Sequence, residues 1–212
     1  MARQKRSEQK EETRQRLLDA AREVFEAEGF EGASLRQIAA RAGIAAGTIF
    51  VHFRDKRDLL HAALFEDLAA TLEAALAEDD ADSLEAWLAR LTDRMLGYYE
   101  ARPLLSRVLL QQSLLAEPPW AERFAGQIAQ VHAEVVRRAE VARAQGELAP
   151  DANLPLFAVA FVSFYMFGLI AWAQRSHPAP RELVRRLTAQ HLDALRPGPD
   201  PTTATDPGDH GP

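Results

Sequence analysis

A chain of 212 residues with 47% hydrophobic and 26% charged residues has the composition of a soluble globular protein, not of a disordered or fibrous one. It contains no cysteine, which excludes disulfides, thiolate metal sites and cysteine nucleophiles. The net charge of −6 is unevenly divided: residues 1–60 hold 12 Lys or Arg and 10 Asp or Glu, whereas residues 61–212 hold 13 and 21, so a slightly basic part precedes an acidic one.

The first elements expected are a charged leading segment and one amphipathic helix. The segment MARQKRSEQK lacks the apolar run of a secretory signal. Its basic residues are Arg3, Lys5, Arg6 and Lys10. From Thr13 to Glu28 the apolar residues recur with the 3.6-residue period of a helix buried on one side. Gly29 is expected to end this helix.

The stretch SLRQIAARAGIAAGTIFVHF, residues 34–53, has the pattern of two helices joined by a tight turn. Ser34 and Gln37 form an S-x-x-Q capping box that starts the first helix. Gly43 lies where a left-handed residue can end it, and a second helix is expected from near Gly47. This spacing is typical of a helix-turn-helix that places its second helix in the major groove of DNA. The residues that this second helix exposes are Thr48, Phe50 and His52.

Beyond the motif, the segment from Thr13 to Leu60 resembles the N-terminal domain of the TetR family of bacterial transcriptional regulators. The resemblance rests on a first helix ending at Gly29-Phe30, on the helix-turn-helix, and on an aromatic-x-His-Phe run that leads to Lys56. It covers under a quarter of the chain. It implies an all-α fold, in which a three-helix DNA-binding domain is followed by a helical ligand-binding and dimerisation domain, and it implies a palindromic DNA operator as partner.

The resemblance also implies which residues contact DNA. Thr48, His52 and Lys56 match positions that contact phosphates in the family. Ser34 adds a phosphate contact from the helix end that it caps, where free N–H groups favour anions. Phe50 departs from the tyrosine that is common in the family: it keeps an aromatic contact with sugar or a thymine methyl group but loses the phenol hydrogen bond.

Other DNA-binding candidates follow from their side chains alone. Ala46 and Gly47 are small enough to let the backbone approach base edges closely. Arg36 either reads a guanine with its guanidinium fork or only solvates the helix surface. The basic leading segment is either disordered or an arm that reaches a minor groove, as such arms do in other helix-turn-helix proteins.

The rest of the chain predicts further helices. One starts after Asp55, runs to about Leu76 and is followed by a polar break at residues 78–82. The next are expected from Ser83 to Tyr99, 103 to 116, Trp120 to Gln145, 152 to 174 and Pro180 to Leu195. The expected domains are a DNA-binding domain with its basic arm at residues 1–58, an effector-binding and dimerisation domain at 59–196, and a disordered tail at 197–212.

The run from 152 to 174 contains no charged residue and is long enough to span a bilayer. It is solitary, and its flanks, Asp151 and Arg175, have no strong basic bias, so we expect a helix buried within protein. Its aromatic residues occupy every side of the helix and cannot all face one core. In the architecture that the resemblance implies, this helix and the helix from 180 to 195 pair with their two-fold copies in a homodimer, as a four-helix interface. We expect Gly168 at the two-fold contact and no membrane partner.

No catalytic or metal-binding motif is present: the sequence has no P-loop, no H-E-x-x-H and no G-x-S-x-G. We therefore expect no enzyme activity, no cofactor and no metal. In the TetR family the body encloses a ligand cavity, and such cavities are mainly apolar with a few polar anchors. The candidate lining residues are Tyr99, Gln112, Phe124, His132, Phe161 and Tyr165, although each can instead belong to the core. They suit a small apolar or aromatic effector.

The sequence therefore predicts a cytoplasmic, ligand-responsive, homodimeric repressor. An activator or a ligand-independent regulator stays open, because the sequence does not separate either from repression. A small-molecule-binding helical protein with a vestigial head is a further alternative, and the intact row of Thr48, His52 and Lys56 argues against it. The absence of an acid–base or nucleophile set argues against an enzyme.

Overall fold

All regular structure in the described part of the chain is helical, as predicted. The computed structural model describes residues 2–78, 82–113 and 117–198. Its elements are α1 (Ala2–Gly32), α2 (Leu35–Arg41), a 3₁₀ helix η1 (Ala46–Val51), α3 (Lys56–Ala77), α4 (Leu84–Ala101), α5 (Pro103–Ser113), α6 (Trp120–Ala144), α7 (Leu154–Gln174) and α8 (Pro180–Asp193). We call α1, α2, η1 and the first turns of α3 the head, and the rest of α3 with α4–α8 the body.

Helix α1 is longer than predicted, because it begins at Ala2 and includes the basic leading segment. Residues 4–12 are exposed, but their Gln, Lys, Arg and Glu side chains are good helix formers, and the segment is helical rather than disordered. Glu11 and Arg14 add an ion pair of 3.6 Å one turn apart. The helical geometry breaks at Gly29, whose φ is 71°, at the position where the sequence predicts the stop.

The head is held together by a small apolar core and by an arginine of α1. Leu17 of α1, Ile38 of α2 and Ile49 of η1 are fully buried in one cluster. Arg16 of α1 donates to the backbone carbonyl of Ala42, at 2.6 Å, which closes the end of α2 against α1. A hydrogen bond from a charged donor contributes about 1.5–3 kcal/mol, so the turn of the motif is fixed to α1.

Helix α3 connects the head with the body. Its first part places Leu59 in the core that α1 shares, and its later part carries Leu68 and Leu72 into the body. The hydroxyl of Tyr98 on α4 donates to the carbonyl of Leu64 at 3.1 Å. Head and body are therefore joined through one continuous helix of 22 residues.

In the body, α7 packs against both α6 and α8, and α8 packs against α4. Phe157 and Phe161 of α7 are buried in the core, at 0% and 2% exposure. Arg185 of α8 forms an ion pair with Asp93 of α4 at the rim of this packing. The amphipathic α8 thus has its partner within the same chain.

Gly168 has a different role from the one predicted. A Cβ at this position would lie 2.3 Å from Cγ2 of Val184 on α8, and Gly168 is buried inside the monomer. The missing side chain allows α7 and α8 of one chain to approach closely, so the expectation that Gly168 lies at a two-fold contact is wrong.

This close packing can be tested with a compensating pair of substitutions. Gly168→Ala is expected to lower the free energy of unfolding by about 1–3 kcal/mol, because its methyl group overpacks α7 against a stiff β-branched side chain. Val184→Ala is itself destabilising, because Val184 is fully buried, but in its background Gly168→Ala should cost much less than in the wild type. Urea unfolding of the two single variants and the double variant measures the coupling, and strictly additive losses would contradict a direct contact.

Helix α7 is, within the described residues, the one helix long and apolar enough to cross a membrane, with a mean hydropathy of 2.1. Phe157 and Phe161 face the monomer's own core, whereas Phe167 does not, so the aromatic residues of α7 do not all face one core. Leu156, Val159 and Phe167 remain 59%, 51% and 57% exposed. These three residues lie at i, i+3 and i+11 and so share one side of the helix. The unpartnered part of α7 is therefore one apolar stripe.

Three predicted features lie wholly or partly outside the described residues. The polar break falls on residues 78–82, of which 79–81 are not described, and the helix predicted to reach 116 is described only to Ser113. The predicted tail, 197–212, is described only at its first two residues.

Candidate DNA-binding interface and effector cavity

The turn between α2 and η1 is built as the sequence predicts. The N–H of Gln37 donates to Oγ of Ser34 at 3.2 Å, and the N–H of Ser34 donates to Oε1 of Gln37 at 2.9 Å, which are the two bonds of a capping box. Gly43 follows α2 with a left-handed φ of 66°, and the N–H of Ile44 donates to the carbonyl of Ala39 at 2.9 Å. This glycine ends α2 and directs the chain toward η1.

The second helix of the motif differs from the prediction, because it is a 3₁₀ helix of six residues. Its N-cap, Ala45, makes no side-chain cap hydrogen bond. Gly47 is a poor helix former, and Thr48 and Val51 are β-branched, which also lowers α-helix propensity. In a 3₁₀ helix side chains three residues apart align, so Thr48 shares its face with Val51 rather than with His52.

The outer side of η1 presents a small and apolar surface. Ile49 is fully buried and anchors η1 in the head, whereas Phe50 and Val51 are 63% and 65% exposed. Ala46 and Gly47 are exposed at its start. Such side chains allow close approach to base edges and contact with thymine methyl groups. Val51 is absent from the residues that the sequence predicts, although an exposed apolar residue three positions after Thr48 could have been identified from its spacing.

Thr48 and His52 are half-buried at this surface. The Nδ1 atom of His52 is buried and has no hydrogen-bond partner. Burial, together with the positive charges of Lys10 and Arg14, lowers the pKa of His52. The ring is therefore neutral at pH 7, and it can donate one hydrogen bond to a phosphate without adding a positive charge.

Lys56 already has partners within the protein. Its Nζ donates to the carbonyls of Phe30, at 2.6 Å, and Ala33, at 3.0 Å, and lies 4.4 Å from the centre of the Phe30 ring. An ammonium group has three donors, so one remains for a phosphate. Lys56 thus fixes the chain between α1 and α2 to the start of α3, whatever its contact with DNA.

All the predicted DNA-binding residues lie on the head, on α2, η1 and the start of α3. Ser34 uses its side chain in the capping box, while its helix end stays exposed. Arg36 on the first turn of α2 is exposed and is free to follow either of its two predicted roles. The contacts of these residues with DNA stay predictions.

The body encloses an apolar cavity of about 60 Å³ among α3, α4, α6 and α7. Four of the predicted residues line it, namely Tyr99, Phe124, Phe161 and Tyr165. The helix that connects head and body contributes Leu68 and Leu72. The wall of this cavity is thus formed in part by the same helix that carries the head.

The other predicted lining residues have different surroundings. His132 does not line the cavity, because its Nε2 lies 3.2 Å from the carbonyl of Pro155 at the start of α7. The side chain of Gln112 lies outside the described residues. Gln127 lines the cavity and is absent from the predicted set. It lies three residues after Phe124, one helical turn along α6, and this spacing could have identified it.

A second cavity, of about 20 Å³, lies between the first one and the head. The two cavities share Leu68, Tyr99, Phe124 and Gln127. The second is also lined by His61 and Trp120, whose rings stack at 5.3 Å. Burial, and then the charge of Arg57, lower the pKa of His61, so the ring is neutral at pH 7.

Trp120 also makes a polar contact with the head. Its Nε1–H donates to Oδ1 of Asp58 at 3.2 Å, and the other oxygen of Asp58 accepts from the backbone N–H of Arg54 at 3.0 Å. Burial raises the pKa of Asp58, but these bonds outweigh it and the pKa is lowered overall. The first residue of α6 is therefore tied to an ionised carboxylate beside the DNA-binding surface.

Comparison with known proteins agrees with this geometry. Residues 17–63, which span most of the head, match the family model described as bacterial regulatory proteins, tetR family. The head is therefore a TetR-family helix-turn-helix domain, the DNA-binding domain of bacterial transcriptional regulators.

The curated relatives are similar mainly in the TetR-family head. The regulator SrpR of Pseudomonas putida is 52% identical over 54 residues, which cover 26% of this chain and 25% of SrpR. TtgW of Pseudomonas putida is 50% identical over 64 residues, 30% of this chain and 47% of TtgW. UidR of Escherichia coli K12 is 28% identical over 145 residues, 66% of this chain and 71% of UidR. The alignments with SrpR and TtgW therefore span a quarter and about half of those proteins.

Solved structures share the TetR-family fold over the body as well. A TetR transcription regulator from Haloarcula marismortui has a TM-score of 0.71 at 17% identity, covering 87% of this chain and 98% of that one. GusR of Salmonella enterica has a TM-score of 0.61 at 24% identity, covering 85% and 95%. At these identities the likeness shows the fold alone. TetR-family regulators bind DNA operators and generally act as dimers.

In this TetR-family head, Lys56→Ala is expected to weaken binding to all DNA sequences similarly. The logarithm of the binding constant falls linearly with the logarithm of the salt concentration. The magnitude of this slope should decrease by about 1 for each phosphate contact that a head loses. Because the substitution also removes the bonds to Phe30 and Ala33, the melting temperature should fall. Fluorescence anisotropy over a salt series measures the slope, both for a duplex that the protein binds specifically and for duplexes of random sequence. Arg143→Ala, in the last turn of α6, is the control, and an unchanged slope for Lys56→Ala would exclude the phosphate contact.

Proposed function

We propose that this regulator is a homodimeric repressor that binds a two-fold-symmetric operator and is released by a small apolar effector. The observation that chiefly supports DNA reading is the exposed outer side of η1. The head exposes a surface of small and apolar side chains, formed by Ala46, Gly47, Phe50 and Val51. Such a surface suits contact with the floor of a major groove, where methyl groups and base edges are presented.

Around this surface, polar groups are placed to bind the DNA backbone. The exposed N-terminus of α2 carries Ser34, and a helix N-terminus favours a phosphate. Arg36 and Arg57 are exposed on either side of η1 in the chain. The helical α1 adds the exposed Lys5, Arg6 and Lys10. Phosphate contacts of this kind position a head without reading sequence, so we assign sequence reading to η1.

The dimer is supported by the exposed stripe of α7. Leu156, Val159 and Phe167 are large apolar residues, and each is more than half exposed. A contiguous exposed apolar patch on a soluble protein usually marks an interaction site. A second copy of the chain, related by a two-fold axis, covers the stripe with itself. We therefore propose that α7 of one protomer contacts α7 of its partner, which also removes any need for a membrane.

Release by an effector is supported by the continuity between the cavity and the head. Phe124 lines both cavities and lies one turn after Trp120 on α6, and Trp120 holds Asp58 at the head. An effector larger than the free space must displace the start of α6 or of α3. Loss of the bond between Trp120 and Asp58 then releases α3 and Arg54. We propose that this change alters the spacing of the two heads, so that they no longer fit two successive major grooves.

Selection of bound duplexes from a random pool tests the proposal without knowledge of the target. The expected product is a pseudo-palindrome. Its half-site centres should be separated by one helical turn of DNA or slightly more, roughly 10 base pairs. A duplex with one half-site should bind at least about 100-fold more weakly. Recovery of sites without symmetry, bound by single chains, would contradict the dimeric operator complex.

A further inference from the structure

The apolar cavity among α3, α4, α6 and α7 has a lining that carries no charge. Its polar side chains are Gln127, Tyr99 and Tyr165, and the remaining lining residues are aliphatic or aromatic side chains or methionines. At about 60 Å³ it has several times the ~15 Å³ that one water molecule needs. With the adjoining cavity it offers space for a ring or a short branched chain.

Two polar atoms among these lining residues are buried without a partner. Nε2 of Gln127 and the hydroxyl of Tyr165 make no hydrogen bond in the structure. The nearby Tyr98 hydroxyl, in contrast, donates to the carbonyl of Leu64 at 3.1 Å. A buried polar group without a partner costs about 1–3 kcal/mol, and such groups are uncommon in native proteins. Other unpartnered buried atoms, such as Nε1 of Trp87, lie away from the cavity.

The two unpartnered groups can act as donors. Burial raises the pKa of Tyr165 far above its usual range, so its hydroxyl stays protonated. A glutamine amide donates through Nε2, and its three rotatable bonds let it turn toward a molecule in the cavity. A carboxylate in the same space would lack a cationic partner in the lining and would lose its hydration, which is strongly unfavourable. The cavity therefore favours an uncharged acceptor.

We infer that the cavity binds a small neutral molecule with an apolar ring or branched body and one oxygen acceptor, a carbonyl or hydroxyl group, that Gln127 and Tyr165 hold. This inference rests on the proposed function, because it concerns the effector that the body would bind. It narrows that effector to a neutral oxygen-bearing compound and assigns two specific residues to its recognition.

Three probes of similar size separate the possibilities. Acetophenone has a neutral carbonyl, cumene has the same outline without an acceptor, and benzoate has a charged carboxylate. Calorimetry on the whole protein without DNA should show acetophenone binding about tenfold more tightly than cumene, since one net hydrogen bond contributes about a factor of ten. Benzoate should bind more weakly than either.

The preference should depend on the two named residues. Gln127→Leu is expected to remove most of the preference for acetophenone over cumene while retaining cumene binding. Gln130→Leu, the same change on an exposed residue of α6, should leave the preference for acetophenone over cumene unchanged. Tyr165→Phe is a second variant that keeps the ring, so the test survives if Gln127→Leu does not fold. The inference would be overturned if both variants kept the preference, or if the wild type bound acetophenone and cumene equally. It would also be overturned if benzoate bound most tightly or if no probe bound.

Failure of this inference can be told apart from failure of the proposed function. Operator affinity measured with and without saturating acetophenone reports on release, independently of probe preference. A correct preference with unchanged operator affinity supports the assigned recognition and contradicts release by this cavity. Release by all three probes alike supports an effector site and contradicts the role of Gln127 and Tyr165.

Discussion

Phe167→Glu is expected to convert the protein from a dimer into a folded monomer. Phe167 is 57% exposed within one chain, so the substitution should leave the monomer's core intact while placing two like charges at the two-fold contact. One head then covers one half-site, and operator affinity should fall by about 10²–10⁴, the gain that joining two binding modules provides. Light scattering without detergent, at micromolar protein, gives the mass, and anisotropy gives the affinity.

Leu104→Glu is the matched control for this experiment. Leu104 on α5 is 56% exposed, so the change in charge and in exposed apolar surface is nearly the same, but the position lies off α7. The control should remain a dimer with full operator affinity. A dimeric Phe167→Glu variant with normal affinity would refute the α7 interface. A wild-type protein that dissolves only in detergent would instead favour a membrane role for the long apolar α7.

Trp120→Phe is expected to mimic the effector. It keeps an aromatic ring beside His61 but removes the Nε1–H that Asp58 accepts. A hydrogen bond to a charged group is worth about 1.5–3 kcal/mol, and if the operator-bound state needs the head held in its present position, apo operator affinity should fall roughly tenfold. The measurement is anisotropy on the selected duplex, with thermal unfolding to show that the fold persists.

Trp172→Phe provides the comparison for that variant. Trp172 is partly buried, whereas Trp120 is buried, and Trp172 lies on α7 next to Tyr99 and Arg107 rather than at the head. The same loss of an indole N–H there should leave operator affinity unchanged. Equal effects of the two substitutions would indicate a general loss of body stability and would contradict a specific role for the contact between Trp120 and Asp58.

The sequence predicts helix existence well here, because the signals are local. The S-x-x-Q box at Ser34, Gly29 and Gly43 are each determined by a few neighbouring residues, and the structure confirms all three. The predicted helix ends are wrong where helix propensity alone decides, without tertiary packing. The leading segment, which belongs to α1, is the example. The four predicted residues that line the cavity come from an expectation that aromatic residues of different helices converge, and their contact with a ligand stays a prediction.

What the sequence could not show depends on how helices meet in space. The role of Gly168 follows from the position of Val184, sixteen residues away on another helix. His132 has the spacing of a core or cavity residue, but its rotation about α6 points it to Pro155 instead. The 3₁₀ geometry of η1 results from a balance of weak local preferences and packing of Ile49, which a periodicity argument does not resolve.

The length of α3 has a mechanical consequence. Leu72, which lines the cavity, lies sixteen residues after Lys56, about 24 Å along the helix. A tilt of about 5° around Leu72 moves Lys56 by roughly 2 Å. When the displacements in a symmetric pair point in opposite directions, the two heads shift relative to each other by about 4 Å, which is more than the rise of one base pair, about 3.4 Å.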